Sequence, residues 1–141
     1  MTITVPIDPK TPAVALARTL LAARAEPYAA GTTVSAQWPE NTAPTNDQLP
    51  LVIVHIDGQA LAMPHTQRPN FRFQCYHHDP DQAMDLAGLL CGLLLDGPPG
   101  PLQQPVLIVA PFGSRDANRG EYASFTLAAS LVPGDVPRVT P

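Results

Sequence analysis

Charge is what this chain most conspicuously lacks. Of its 141 residues only 14% are Asp, Glu, Lys or Arg, against about 25% in an ordinary soluble domain. So little charge predicts that part of the surface is covered by a partner. The eight Lys and Arg residues are scattered and the net charge is −4. No run of cations can follow a phosphate backbone, so specific nucleic-acid binding is not expected. Cysteine is also scarce. Cys75 and Cys91 cannot build a disulfide framework, nor a four-ligand zinc site on their own. Long hydrophobic runs are missing too: "LAGLLCGLLL" spans ten residues, where a membrane-crossing helix needs about 20. "MTITVPIDPK" has no basic stretch leading into an apolar one, so no secretory leader is expected. The chain should be made in a cytoplasm and stay soluble.

Apolar residues, by contrast, reach 45%, enough for a packed core and too many for a disordered chain. The length fits one domain, 1–141, that buries about two-thirds of its unfolded surface. Eighteen prolines break the chain into short elements. "DPKTPAVALARTLLAARAE" predicts a helix with Thr11 as N-cap and Pro12 in the first helical position. Val14, Leu16, Leu20 and Leu21 form its apolar side, Arg18 and Arg24 face the solvent or the following elements, and Pro27 ends it. "TTVSAQW", Thr32 to Trp38, is β-branched and bounded by Gly31 and Pro39, which predicts a strand. "PENTAPTNDQLP" is a loop.

"LVIVHID" predicts a strand buried on both faces and ended by a turn at Asp57–Gly58. "FRFQCYH" alternates, with Phe71, Phe73, Cys75 and His77 on one face and Arg72, Gln74, Tyr76 and His78 on the other. That pattern predicts a half-buried strand. "DPDQAMDLAGLLCGLLLDG" is the strongest helix: Asp79 caps it, Pro80 and Asp81 fill its first turn, and Gly97 ends it. Met84, Leu86, Leu89, Leu90, Leu93 and Leu94 supply its buried stripe. "PVLIVAPFG" and "EYASFTLAASL" are two further strands joined by a polar connector, "SRDANRGE". From about residue 132 a proline-rich tail should be extended and order only against a partner. The element order argues for an α+β fold, a mainly antiparallel sheet with two helices packed on one side.

The most reactive-looking stretch is "QCYHHDPDQA". A zinc site needs three or four converging ligands, usually as paired residues from separate elements. Here only Cys75 and His77 share a strand face, and no second pair exists, since His55 and His65 are isolated and Cys91 sits on an apolar helix stripe. Asp79 as a helix cap, with His77 and His78 at a strand end, accounts for the cluster better than catalysis or metal binding. Ser114 in "FGS" lacks the G-x-S-x-G elbow of a nucleophile. The glycines of "PPGP" and "FGSRDANRG" lack the spacing of a phosphate loop. Asp57 has no partner for acid catalysis. Tyr28 and Trp38 could anchor a contact, though single aromatics are more often core. No catalytic, cofactor or metal site is expected. Arg115, Asp116 and Arg119 in the connector are either a solvated hairpin tip or a contact to a neighbouring subunit, where arginine pairs well with carboxylates.

The segments "LPLVIVHID", "TQRPNFRFQCYHHDPDQA", "AMDLAGLLCGLLL", "VLIVAPFG" and "RGEYASFTLAASL", following an N-terminal helix, are similar in order and pattern to a known family. From Leu49 to Leu131 the chain resembles the small tail-terminator, or tail-completion, proteins of long-tailed bacteriophages. The family's "R-P-x-[hydrophobic]-x-[hydrophobic]" strand falls on Arg68, Pro69, Phe71 and Phe73, and its closing strand on Tyr122 through Leu131. The "PENTAPTNDQ" insert and the proline-rich tail lie outside the pattern.

The resemblance implies an α+β subunit of a homohexameric ring that caps the tail tube and stops its growth. The ring would sit at the tail–neck junction of the virion, between the major tail tube protein and a head–neck connector protein. DNA would pass through its lumen, and it would need no cofactor. Arg68, Arg72, Arg115, Asp116 and Arg119 are then the candidate subunit or tube contacts. Two competing readings are a neighbouring head–tail connector, such as a neck or head-closure subunit, and a small metal-dependent or hydrolytic enzyme using His77, His78 and Asp79.

Overall fold

Alternation and capping turn into structure most directly at the second helix. In the computed structural model, which describes residues 2–5, 8–37, 44–62, 66–96, 100–116, 120–131 and 134–137, α2 runs Pro80–Asp96. The Asp79 carboxylate accepts the Gln82 backbone N–H at 2.9 Å, satisfying one of the donors a helix start leaves unpaired. Gly97, expected to end the helix, lies outside the described residues. The buried stripe is Ala83, Leu86, Ala87, Leu90, Cys91 and Leu94. It is rotated slightly from the methionine-and-leucine stripe the sequence suggested. The small residues Ala83, Ala87 and Cys91 share it with the leucines, Leu89 and Leu93 are half-buried, and Met84 is left 37% exposed.

Helix α1 spans Lys10–Ala22 and begins earlier than expected. Thr11 is inside it rather than capping it. Asp8 does the work instead, accepting the Lys10 backbone N–H at 3.0 Å and the Thr11 hydroxyl at 3.3 Å. Arg18 reaches off the helix to donate to the Val34 carbonyl at 2.8 Å, tying α1 to the sheet edge.

Five strands form the main sheet: β2 (Thr33–Ser35), β3 (Leu51–Ala62), β4 (Thr66–Tyr76), β5 (Gln103–Asp116) and β6 (Gly120–Ser130). Their order is β2-β3-β4-β6-β5. Only the short β2–β3 pair is parallel, and the rest is antiparallel. Both helices pack on one face, so the fold is α+β as the pattern of elements required. Strand β2 is shorter than the Thr32–Trp38 segment suggested, and Trp38 is outside the described residues.

The core lies between the helices and the sheet. It is built from Val52 and Val54 of β3, Phe71, Phe73 and Cys75 of β4, and Ala123, Phe125, Leu127 and Ala129 of β6. Phe73 and Phe125 stack at its centre, with rings 5.0 Å apart and 14° from parallel. Leu51 through Ile53 and Val54 are buried on both faces, as the continuous apolar run implied. A smaller cluster, Leu51, Ile53 and Tyr76 with Leu49 and Tyr122, covers part of the opposite face. For that reason β4 is buried more fully than its alternation suggested: Gln74 and Tyr76 are buried alongside Phe73 and Cys75.

Three further features depart from the sequence reading. Asp57–Gly58 does not turn the chain. Gly58, at φ +117°, sits where the β3–β4 register shifts between Ile56 and Gln59. It acts as a bulge that glycine alone tolerates easily, and β3 continues to Ala62. The polar connector is likewise mostly strand: Ser114, Arg115 and Asp116 pair with Tyr122, Glu121 and Gly120. Finally, part of the proline-rich tail forms β7 (Gly134–Pro137), paired antiparallel with an unexpected N-terminal strand, β1 (Thr2–Val5). The tail finds its partner in its own chain.

Candidate assembly surface

The histidine pair at the end of β4 is locked into structure. The His78 backbone N–H donates to His77 Nδ1 at 2.8 Å, so Nδ1 is an acceptor and the ring proton belongs on Nε2. That Nε2–H meets the Tyr28 carbonyl at 2.8 Å. Both ring nitrogens are therefore engaged, and neither presents a lone pair to a metal. With Asp79 occupied as the helix cap, the cluster fastens the β4–α2 junction to the turn at Pro27–Ala29. Among the described residues, no group of three or more His, Cys, Asp or Glu could hold a metal ion.

The thiols are similarly inert. Cys75 and Cys91 are both buried, and desolvation raises the pKa of each, strongly at Cys75, where the Cys91 charge is a lesser cause. Ser114 lies in β5, half-buried, and Tyr28 packs partly against the core.

The candidate contact residues fare differently from one another. Arg68 donates to the Ser130 hydroxyl at 2.8 Å and to the Gln104 carbonyl at 3.3 Å, clamping β4 to the end of β6 and the start of β5. Arg72 pairs with Asp57 at 2.8 Å beside the Gly58 bulge. Both cations thus have partners within the chain. Arg115 is exposed on β5, opposite Glu121. Asp116 closes β5 opposite Gly120, and Arg119 is outside the described residues.

A polar chain crosses the helix-free face of the sheet. His55 Nε2 lies 2.9 Å from Gln74 Oε1, and the Tyr76 hydroxyl approaches the same oxygen at 3.5 Å. Partial burial lowers the His55 pKa from its ordinary value, and the Gln74 contact opposes that only in part.

Sequence reasoning missed an exposed apolar edge of the sheet. Strand β5 is the sheet's edge, and Val106, Leu107, Ile108, Val109 and Phe112 are 37–55% exposed. Between Val106 and Phe112 the strand is bulged twice: Val106 faces Ala128, Val109 faces Thr126 and Phe112 faces Ser124. Each advance of three residues on β5 matches two on β6. Directly paired residues share a face, and Ala128, Thr126 and Ser124 alternate with the core-facing Leu127 and Phe125. The bulges therefore gather Val106, Val109 and Phe112 into one apolar row on the face the helices leave uncovered.

At the base of β5 a hollow of about 290 Å³ is lined by leucines of both helices, such as Leu16, Leu20 and Leu93, and by Leu102, Gln103 and Gln104. One signal for the edge was present in the sequence: two prolines, Pro105 and Pro111, inside a single strand. Proline cannot donate to a ladder and is confined to edges and bulges.

The molecule is thus an α+β domain whose polar clusters are spent on its own fold and whose apolar excess is concentrated on one edge strand. No protein-family model matches the chain, and no curated protein matches it in sequence.

Proposed function

We propose that this chain is a structural subunit of a bacteriophage tail, a terminator that assembles into a hexameric ring on the end of the tail tube. Two supports are independent of each other. One is the order and pattern of segments from Leu49 to Leu131, which fall on β3, β4, α2, β5 and β6 of an α+β fold. The other, which carries the proposal, is the exposed apolar strand β5 on a protein otherwise poor in charge. A contiguous apolar surface of this kind marks a protein–protein contact. In a closed ring each subunit uses two different patches, one toward each neighbour. Tube growth then stops because the ring's outer face no longer resembles the tube's end. The enzyme reading is disfavoured by the engagement of both His77 nitrogens and the Asp79 carboxylate within the fold.

Sedimentation of the purified chain, alone and with polymerised tail tubes, followed by electron microscopy of the mixture, tests the assignment. The expected result is a ring on one tube end and tubes that no longer lengthen. A chain that stays monomeric beside the tubes and leaves their growth unchanged overturns it. Rings that bind the head-side connector but not tubes would instead favour the neighbouring neck subunit.

A further inference from the structure

Among the described residues, two parts of this molecule have little packed against them, and both are poor in charge. The first is the β1–β7 ribbon. It has four residues per strand, with Ile3 paired to Val136 and Val5 to Gly134, and no other described element packs extensively against it. A two-stranded ribbon standing alone is marginal in water at best. The second is the row Val106, Val109 and Phe112 with its neighbour Ile108, exposed by 40–55%. No charged residue occurs from Gln103 to Ser114, and the ribbon carries only Asp135.

We propose that the β1–β7 ribbon of one subunit lies across the helix-free face of β5 in the next copy of the chain. This rests on the ring reading and gives that ring its interface. The mode of docking follows from the edge itself. Extending the sheet by another strand would require a regular ladder, but Pro105 and Pro111 lack donors, and bulges break the register at three places along β5. Backbone pairing is therefore discouraged, while the same bulges line up side chains for a face-on contact. The ribbon is a different patch from the strand it covers, so the contact is heterologous. Repeated around a rotation axis it closes a ring, whereas a patch that met its own copy would stop at a dimer.

Disulfide trapping tests the pairing. Cys75 and Cys91 are buried, so background cross-linking should be minimal. Chains carrying only Ile3→Cys are mixed with chains carrying only Val109→Cys, and, to cover a shifted register, Val5→Cys with Val106→Cys. Each mixture is oxidised, and each variant is also oxidised alone. The proposal expects a disulfide-linked dimer in at least one mixture, in excess of that from either component alone. A double variant, Ile3→Cys/Val109→Cys, that closes mainly within one chain overturns it, because the ribbon would then cover its own β5. Absence of the mixed dimer in both pairs also overturns it. Sedimentation of the same samples tells the two failures apart: rings without the cross-link sink the ribbon contact and leave the ring reading standing, while monomers at every concentration, with tubes present, sink both.

Discussion

Strands β4 and β5 make an instructive pair. Both are long, contain proline and are rich in large apolar residues, yet one is the centre of the core and the other the most exposed apolar stretch among the described residues. Phe71 and Phe73 of β4 are fully buried, between strands on both sides and beneath the helices. Phe112 of β5 is 46% exposed. Hydrophobicity does not distinguish them; neighbours do. β4 is paired along both edges by β3 and β6, and β5 only by β6. The same residue type holds the fold together in one strand and is available for assembly in the other.

Substitution breaks this contrast most sharply at the aromatics. Phe73→Ala removes half of the buried stack with Phe125 and should cost about 3–5 kcal/mol of unfolding free energy. Phe112→Ala should shift stability by no more than about 0.5 kcal/mol, as expected of an exposed position, while weakening self-association. Chemical denaturation and sedimentation of both variants measure the two effects. Equal stability losses would show that β5 is not a surface strand.

The cap of α2 comes next. Asp79→Ala leaves the Gln82 N–H without its acceptor and should cost about 1 kcal/mol, read from the denaturation midpoint. Asp79→Asn should restore most of it. A loss confined to metal-dependent behaviour would point back to the histidine cluster.

The exposed Arg72–Asp57 pair at the bulge should matter less. Arg72→Ala should cost under about 1 kcal/mol, shrinking as salt is added. A salt-independent loss would mean that Arg72 acts through packing of its stem.

The smallest effect expected is a pH slope from His55. Its folded-state pKa is depressed, chiefly by burial, so the unfolded chain binds the extra proton more readily. Stability should therefore be fully present above the ordinary histidine range, near 6.5, and fall as pH drops through it toward the lower folded value. His55→Gln should flatten that slope in denaturation curves taken at several pH values between 5 and 7.5.

The same comparison separates what the sequence discloses from what it hides. Helix α2 was legible because everything that makes it, Asp79 at its start and an apolar residue every three or four positions, is local. The double burial of Leu51 to Val54 was legible for the same reason. The facing of β5 was not, because it depends on where β6 holds it: simple alternation would put Val106 and Ile108 together, and the bulges place Val106 with Val109 instead. Asp57–Gly58 misled in a similar way. The dipeptide favours a turn, but β3 stays paired with β4 as far as Ala62, and glycine's conformational freedom was used for a bulge. The β1–β7 pair was hidden by distance, since each strand is four residues long and its partner lies at the other end of the chain. As for the candidate contacts, arginine's donors can serve the fold or a neighbour equally well. Only the positions of Ser130, Gln104 and Asp57 reveal which partners Arg68 and Arg72 take within the chain.

The ribbon has a mechanical consequence as well. Thr2 is paired with Pro137 and Val5 with Gly134, so the outermost rung is the one nearest both ends of the chain. Tension applied between those ends would open the rungs singly, from Thr2 inward, at low force. The stacked aromatics would feel no load until the ribbon had peeled away, which makes it a sacrificial clasp in series with a much stiffer body.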